Sequence, residues 1–319
     1  MKTTTWIAAA IAGATIALTT TATDVAAATG SAAAAGQAAT QKTFATPQEG
    51  VKALVDAVRA DSANDVLALV GQGSKSWLFS GDRVADRAEW TRFLAAYDRK
   101  NSLRMEGDSR AILEAGDSDW SFPAPLVKRG DRWAFDTEAG REEVLNRRVG
   151  RNELDTVQTL LAIVDAQREY AASDPDHKGM NVYATKFRSS PGKKDGLYWP
   201  TKAGEAPSPL GPLVAQAVRE GYGNAAKASG PVAYHGYYYR ILTSQGKDAP
   251  GGAFNYVVNG KLFGGFAVVA WPASYGNSGV MSFLVNHEGV VYQKDLGPNS
   301  AAVATKMKAF DPSDWKKVP

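Results

Sequence analysis

Three residue types in this chain have the chemistry for catalysis, and the first question is whether their spacing supports it. His287 stands beside Glu288, His235 follows Tyr234, and Ser278 lies in Gly276-Asn277-Ser278-Gly279. A serine nucleophile of the elbow type needs Gly-x-Ser-x-Gly on a strand that runs straight into a helix. Ser278 has neither that pattern nor a helical sequence after it. The histidines, His177, His235 and His287, lie far apart in a loop, a strand and a turn, with no His-x-x-x-His spacing for a metal. Gly251-Gly252 and Gly264-Gly265 lack the spacing of a phosphate loop. Cysteine is absent, which excludes thiolate nucleophiles and cysteine metal sites. Carboxylates are plentiful, but none is paired by context. A glycosidase-type pair stays open, because its two members are usually distant in sequence. No catalytic, cofactor-binding or metal residue is assigned, and His235, His287 and Ser278 are expected not to be catalytic, a hairpin accounting for two of them.

The aromatics offer a different chemistry. "YHGYYYR" places Tyr237 and Tyr239 on one face of a strand, Tyr238 and Arg240 on the other. Either both faces are covered, as suits aromatic residues in strands, or one is core and the other a binding platform. Tyr238 and Arg240, with Trp271 and Tyr275 further along, are the candidate binding surface.

Positioning these residues requires two groups of elements. The first opens at Thr46-Pro47-Gln48-Glu49, a helix start with cap, proline and capping-box glutamate. Val51, Leu54, Val55 and Val58 follow at helical spacing. A short helix capped by Ser62 is next. A third begins at Asp86 with the stripe Trp90, Phe93, Leu94 and Tyr97. Strands are then expected at 103–106, 110–115, 125–128 and 132–135. Helices before a strand meander read as α+β. That order predicts a curved antiparallel sheet wrapped on helices, nuclear-transport-factor-like or cystatin-like. A charged helical connector over 141–151 leads to a long helix with the stripe Leu154, Val157, Leu160, Leu161, Val164 and Ala171, stopped at Asp174-Pro175. A Gly/Pro-rich stretch from 176 to 212 precedes strands from Tyr234 onward. Asn259-Gly260 marks one hairpin, and Asn286-His287-Glu288-Gly289 marks another.

The 319 residues suffice for two domains, and 44% hydrophobic with 22% charged residues is ordinary for a globular chain. A net charge of +3 without basic runs argues against nucleic acid. Lys2, the apolar stretch 6–18 and the small residues before Ala28 predict a signal peptide over 1–28. A flexible Ala/Gly/Ser/Thr tether covers 29–43. The expected domains are 44–140 and 152–319, joined by 141–151. Such a chain is periplasmic or secreted, with no lipid anchor and no membrane span in its mature part.

Several stretches carry a family resemblance, among them "FATPQEGVKALVDAVRA", "PGKKDGLYWP", "YHGYYYRILTSQGKDAPGGAFNYVVNGK" and "SGVMSFLVNHEGVVYQKDLGP". By these the chain resembles a secreted bacterial family catalogued as domain of unknown function twenty-nine fifty. That resemblance implies no activity, cofactor or catalytic residue. A partial resemblance is to the globular part of a type IV pilin or pseudopilin. It rests on the helix end Ala166 to Ala171, the strand Gly236-Tyr237-Tyr238-Tyr239, Ala270-Trp271-Pro272, Tyr275 to Gly279 and Glu288-Gly289-Val290. It departs where "REEVLNRRVGRNE" stands in place of an apolar membrane helix. Together these imply a pilin-like second domain and a non-enzymatic binding or assembly adaptor at the bacterial envelope, its partner a protein or polymer there. The alternatives are an enzyme acting on an envelope polymer in an interdomain cleft, and a carrier of a small apolar ligand.

Overall fold

The computed structural model describes residues 41–173, 179, 181–222 and 232–319. The signal segment, most of the tether, Asp174-Pro175 and His177 lie outside the described residues.

The chain enters its first core through α1 (Pro47–Arg59) and α2 (Ala63–Val70). Thr46 caps α1 by accepting the Glu49 N–H at 3.3 Å, and Ser62 caps α2 by accepting that of Asp65 at 3.3 Å. Each cap satisfies an amide that the helix leaves open. A 3-10 turn and the one-turn α3 (Lys75–Leu78) lead to α4 (Arg83–Arg99). The cap of α4 is Asp82, four residues before Asp86, the expected helix start; it accepts the Val84 and Ala85 N–H groups, both at 3.1 Å. Then come β1 (Asn101–Glu106), β2 (Arg110–Ala115), β3 (Trp120–Ser121), β4 (Leu126–Arg129) and β5 (Arg132–Phe135). They form one antiparallel sheet of order β1-β2-β4-β5, with β3 also on β2. Leu54, Val66, Leu69, Leu126 and Phe135 lie at the centre of the core between helices and sheet.

The expected curved sheet is corrected here. The protein is mixed α+β, but its sheets are open and none is closed or strongly curled. Curling needs long strands bent by bulges. In the first sheet the strands have two to six residues, and β1 pairs with β2 in unbroken register from Asn101↔Ala115 to Glu106↔Arg110. Nearly every residue of β1 is exposed, so that strand does not wrap round the helices at all.

From Thr137 to Ser173 runs a single helix of 37 residues, α5. Val144 and Leu145 pack on the first core, whereas Leu160, Ile163, Val164 and Tyr170 belong to the second. The expected connector is the middle of this helix. Since α5 begins in the first core, nothing sets apart a distinct pilin-like second domain. The apolar stripe also shifts: Leu160 is fully buried, Leu161 half-buried and Leu154 70% exposed.

After α6 (Gly211–Arg219) the chain forms β6 (Tyr237–Leu242), β7 (Ser244–Gln245), β8 (Phe254–Asn255), β9 (Val257–Val258), β10 (Lys261–Leu262), β11 (Ala267–Pro272), β12 (Met281–Asn286) and β13 (Val291–Asp295). The helix α7 (Ser300–Lys306) and the short β14 (Ala309–Phe310) and β15 (Lys316–Lys317) complete it. The main sheet has order β15-β13-β12-β11-β6. Every residue of β11 is buried, because α5 covers one face of the sheet and α7 with β14 the other. Asn259 and Gly260 turn the β9–β10 hairpin with φ of 50° and 75°, as the sequence predicts. Among the described residues no helix is long and apolar enough to cross a membrane.

Candidate binding site

The two cores meet along one side of α5, and a polar seam lies there. It begins with the turn that held the suspected serine. Ser278 is fully buried; its Oγ accepts the Ser274 N–H at 2.9 Å and donates to the Ser274 carbonyl at 3.2 Å. Asn277 in the same turn reaches the first core, where its Nδ2 donates to the carbonyls of Ser76 and Phe79, both at 3.1 Å. Its Oδ1 accepts from Arg148 of α5. Arg148 also donates to the carbonyls of Trp77 at 2.7 Å and Leu78 at 3.0 Å. One turn further along α5, Asn152 donates to the Ser278 carbonyl at 2.8 Å. A single arginine and two amides thus satisfy the open carbonyls around α3 and fix the turn.

Beside this seam is a polar cavity of about 260 Å³. His235 projects toward it from a tight turn rather than from the strand expected there. Tyr234 and Tyr237 exchange both backbone hydrogen bonds, and the two residues between them, His235 and Gly236, have φ of 49° and 74°. That is a type I′ turn, which histidine tolerates better than most side chains. Gly236 is required twice over, because a Cβ there would sit 2.6 Å from Asn152 Nδ2. The imidazole lies between two carboxylates, with Nδ1 3.6 Å from Asp155 and Nε2 3.4 Å from Glu220. Tyr222 donates to Asp82 at 2.6 Å, and Tyr234 to Glu220 at 3.2 Å. Burial, first of all, pushes both phenols well above the ordinary tyrosine range. It likewise raises the Asp86 carboxyl, which accepts the Ser80 N–H with both oxygens at 3.1 Å. It also lowers Arg148, whose charge is poorly solvated.

Behind the polar cavity, inside the first core, is an apolar pocket of about 160 Å³. Leu54, Val58, Val66 and Val70 form its floor, and Trp90, Phe93, Trp120 and Phe122 its walls. Of the α4 stripe read from the sequence, Trp90 and Phe93 line it; Phe93 is buried, and Trp90, Leu94 and Tyr97 are half-buried. Trp120, 36% exposed, stands at the rim with the Arg147 guanidinium 5.1 Å above its ring. Glu89, Arg148 and Arg151 line both spaces, so the apolar pocket and the polar cavity adjoin. Glu89 is held by Arg92 and Arg151, each at 2.6 Å.

The candidate surface read from the sequence is distributed differently. Tyr238 and Trp271 face each other across β6 and β11 with ring centroids 5.8 Å apart, Tyr238 half-buried and Trp271 buried. Arg240 lies on the same face, where its guanidinium donates to the Ala304 and Met307 carbonyls at the end of α7. Tyr275 donates to Asp295 at 3.2 Å. Tyr238 lines an open cleft of about 660 Å³ with Lys75, Ser76 and Phe79, and Arg240 lines a separate one of about 520 Å³ with Ser244, Gln245 and Phe254. His287 packs its ring on Tyr256 and Phe266, remote from this seam in its own hairpin. Sequence reading did not single out Asp82, Asp86, Arg148, Asp155, Glu220 or Tyr222. Its one signal there was His235-Gly236, which fits a two-residue I′ turn.

Among the described residues no group of three or more His, Asp or Glu side chains is placed to hold a metal ion. A family model described as "Protein of unknown function (DUF2950)" matches residues 41–318. No curated protein and no solved structure matches the chain.

Proposed function

The chain belongs to the DUF2950 family of unknown function, and on that premise we propose that it is a non-enzymatic binding protein of the bacterial envelope, exported by its N-terminal segment, which takes the apolar group of a small ligand into the first core. The apolar pocket carries this reading. Protein interiors pack with few voids larger than a water molecule. A void of about 150 Å³ lined by aliphatic and aromatic residues accepts benzene, and this one, at about 160 Å³, is of that size. An aromatic ring or a short alkyl chain fits it. The rim at Trp120 is exposed, which gives a ligand a way in.

The polar cavity supports binding more than catalysis. Each group there that could move a proton or attack a substrate already holds a partner within the protein. Both ring nitrogens of His235 face carboxylates, the Tyr222 hydroxyl is spent on Asp82, and Asp86 is tied to the Ser80 amide. A general base needs a free atom within hydrogen-bond reach of its substrate.

The test uses neutral probes. Titration with toluene and benzyl alcohol, followed by methyl NMR, should shift the signals of Leu54, Val66 and Val70 saturably. Val144→Trp, which places a ring into the pocket from α5, should abolish those shifts in a protein that still folds. Unmoved methyl signals up to the solubility limit of both probes would overturn the reading.

A further inference from the structure

Arg148 is a cation at the site that holds hydrogen bonds but no ion pair among the described residues. It lies on α5 where the apolar pocket and the polar cavity adjoin, and it lines both. Among the described residues no carboxylate comes within ion-pair distance of it, although Arg147 pairs with Glu143 and Arg151 with Glu89. Its three hydrogen-bond partners are the Trp77 and Leu78 carbonyls and the Asn277 amide oxygen, reached through Nη1 twice and Nη2 once. A guanidinium has five N–H donors. The Nε–H and one Nη2–H therefore have no partner in the protein. The Nε–H edge of a guanidinium, with the neighbouring Nη2, is one of the sides that fork onto a carboxylate.

We propose, building on the binding reading above, that the ligand is a small monocarboxylate with an aromatic or short aliphatic body. Its body fills the pocket walled by Trp90, Phe93, Trp120 and Phe122, and its carboxylate docks on the open fork of Arg148.

The charges nearby permit this. Glu89 is neutralised by Arg92 and Arg151. Asp86, whose two oxygens both accept the Ser80 N–H at 3.1 Å, lies outside ion-pair distance of Arg148. An incoming carboxylate therefore meets one unpaired cation rather than an occupied ion pair. It would also supply the counter-charge that a buried guanidinium otherwise lacks. A neutral ligand of the same shape would gain only the apolar contact.

Sodium benzoate and benzyl alcohol separate the two components in the full-length mature protein. Benzoate should bind at least about tenfold more tightly, the discrimination expected of a charge-assisted hydrogen bond. The Arg148 Nε–H resonance should move with benzoate and stay still with benzyl alcohol. Arg148→Lys should remove most of the preference and keep benzyl alcohol binding, whereas Arg129→Lys, at an exposed residue that lines neither space, should leave the preference intact. Equal affinity for the two probes would overturn the carboxylate assignment and leave the pocket reading standing. A preference that survives Arg148→Lys, or an unmoved Nε–H signal with benzoate bound, would also overturn it. Failure of both probes to bind would remove the pocket reading and this inference together. The Nε–H measurement needs no variant, so it decides the matter even if Arg148→Lys does not fold.

Discussion

Asn277 illustrates how one side chain can join two cores. Its amide contacts two carbonyls of the first core and the guanidinium of Arg148 while its backbone belongs to a turn of the second. Asn277→Ala would leave the part-buried Phe79 carbonyl and the Arg148 guanidinium each short of a partner, a loss of about 1–3 kcal/mol; urea unfolding should show it. Asp86 makes an opposite prediction. Its carboxyl titrates higher in the folded chain than its ordinary value of 3.8, chiefly through burial. The unfolded state therefore ionises first as pH rises, and the fold loses stability between the unfolded and folded values. The penalty grows as pH rises from the unfolded value, and below that value it is absent. Asp86→Asn should thus raise the melting temperature at pH 7, and the gain should vanish below about pH 3.8. Neither residue was evident from sequence. Asn277 looked like ordinary turn chemistry, and Asp86 was read as the start of a helix. What distinguishes them is a neighbour far away in sequence, Ser76 and Phe79 for Asn277 and Arg148 for Asp86, which local spacing does not encode.

At the scale of elements, caps were the most legible feature. Thr46 and Ser62 cap the helices they were expected to cap, because that interaction is confined to four consecutive residues. The stripe of α5 was less so. Its buried side includes Asn152, Thr156 and Gln167, and a search for apolar periodicity passes over polar residues. Gln167 is satisfied by both polar atoms of Ala184, at 2.9 and 2.8 Å, and Thr156 by the Asn152 carbonyl at 2.7 Å. The mutational consequence moves with the stripe. Leu160→Ala should cost about 2–5 kcal/mol, Leu161→Ala distinctly less, and the exposed Gln158→Ala within about 0.5 kcal/mol of zero. Chemical denaturation of the three variants checks the order. Asp82 both caps α4 and accepts from Tyr222. Asp82→Ala should therefore destabilise by more than the roughly 1 kcal/mol typical of a lost cap, and Tyr222→Phe by less than Asp82→Ala.

The molecule as a whole is organised by α5, which takes part in both cores and in the seam between them. Two domains joined by 141–151 were expected from the length of the chain and from a charged segment between a strand meander and a new amphipathic helix; that segment is the middle of one continuous helix. With a helix and a polar seam in common, heat should unfold both cores in one calorimetric transition, and Leu126→Ala in the first should lower the melting of the second as well. Gly150 sits in the middle of α5 with nothing within 4 Å of its missing side chain. Gly150→Ala should stabilise the protein by about 0.5–1 kcal/mol. The same helix acts as an indexing shaft. Each residue advances it by about 100° and 1.5 Å. One alanine inserted at Gly150 would turn Asn152 and everything beyond it out of phase with Arg148, so that the two could no longer grip the same turn at Asn277 and Ser278. Seven inserted residues would bring the angle back to within about 20° yet part the cores by about 10 Å. Chain length is therefore constrained at this point to the single residue, even though nearly any helix-forming side chain would fit there.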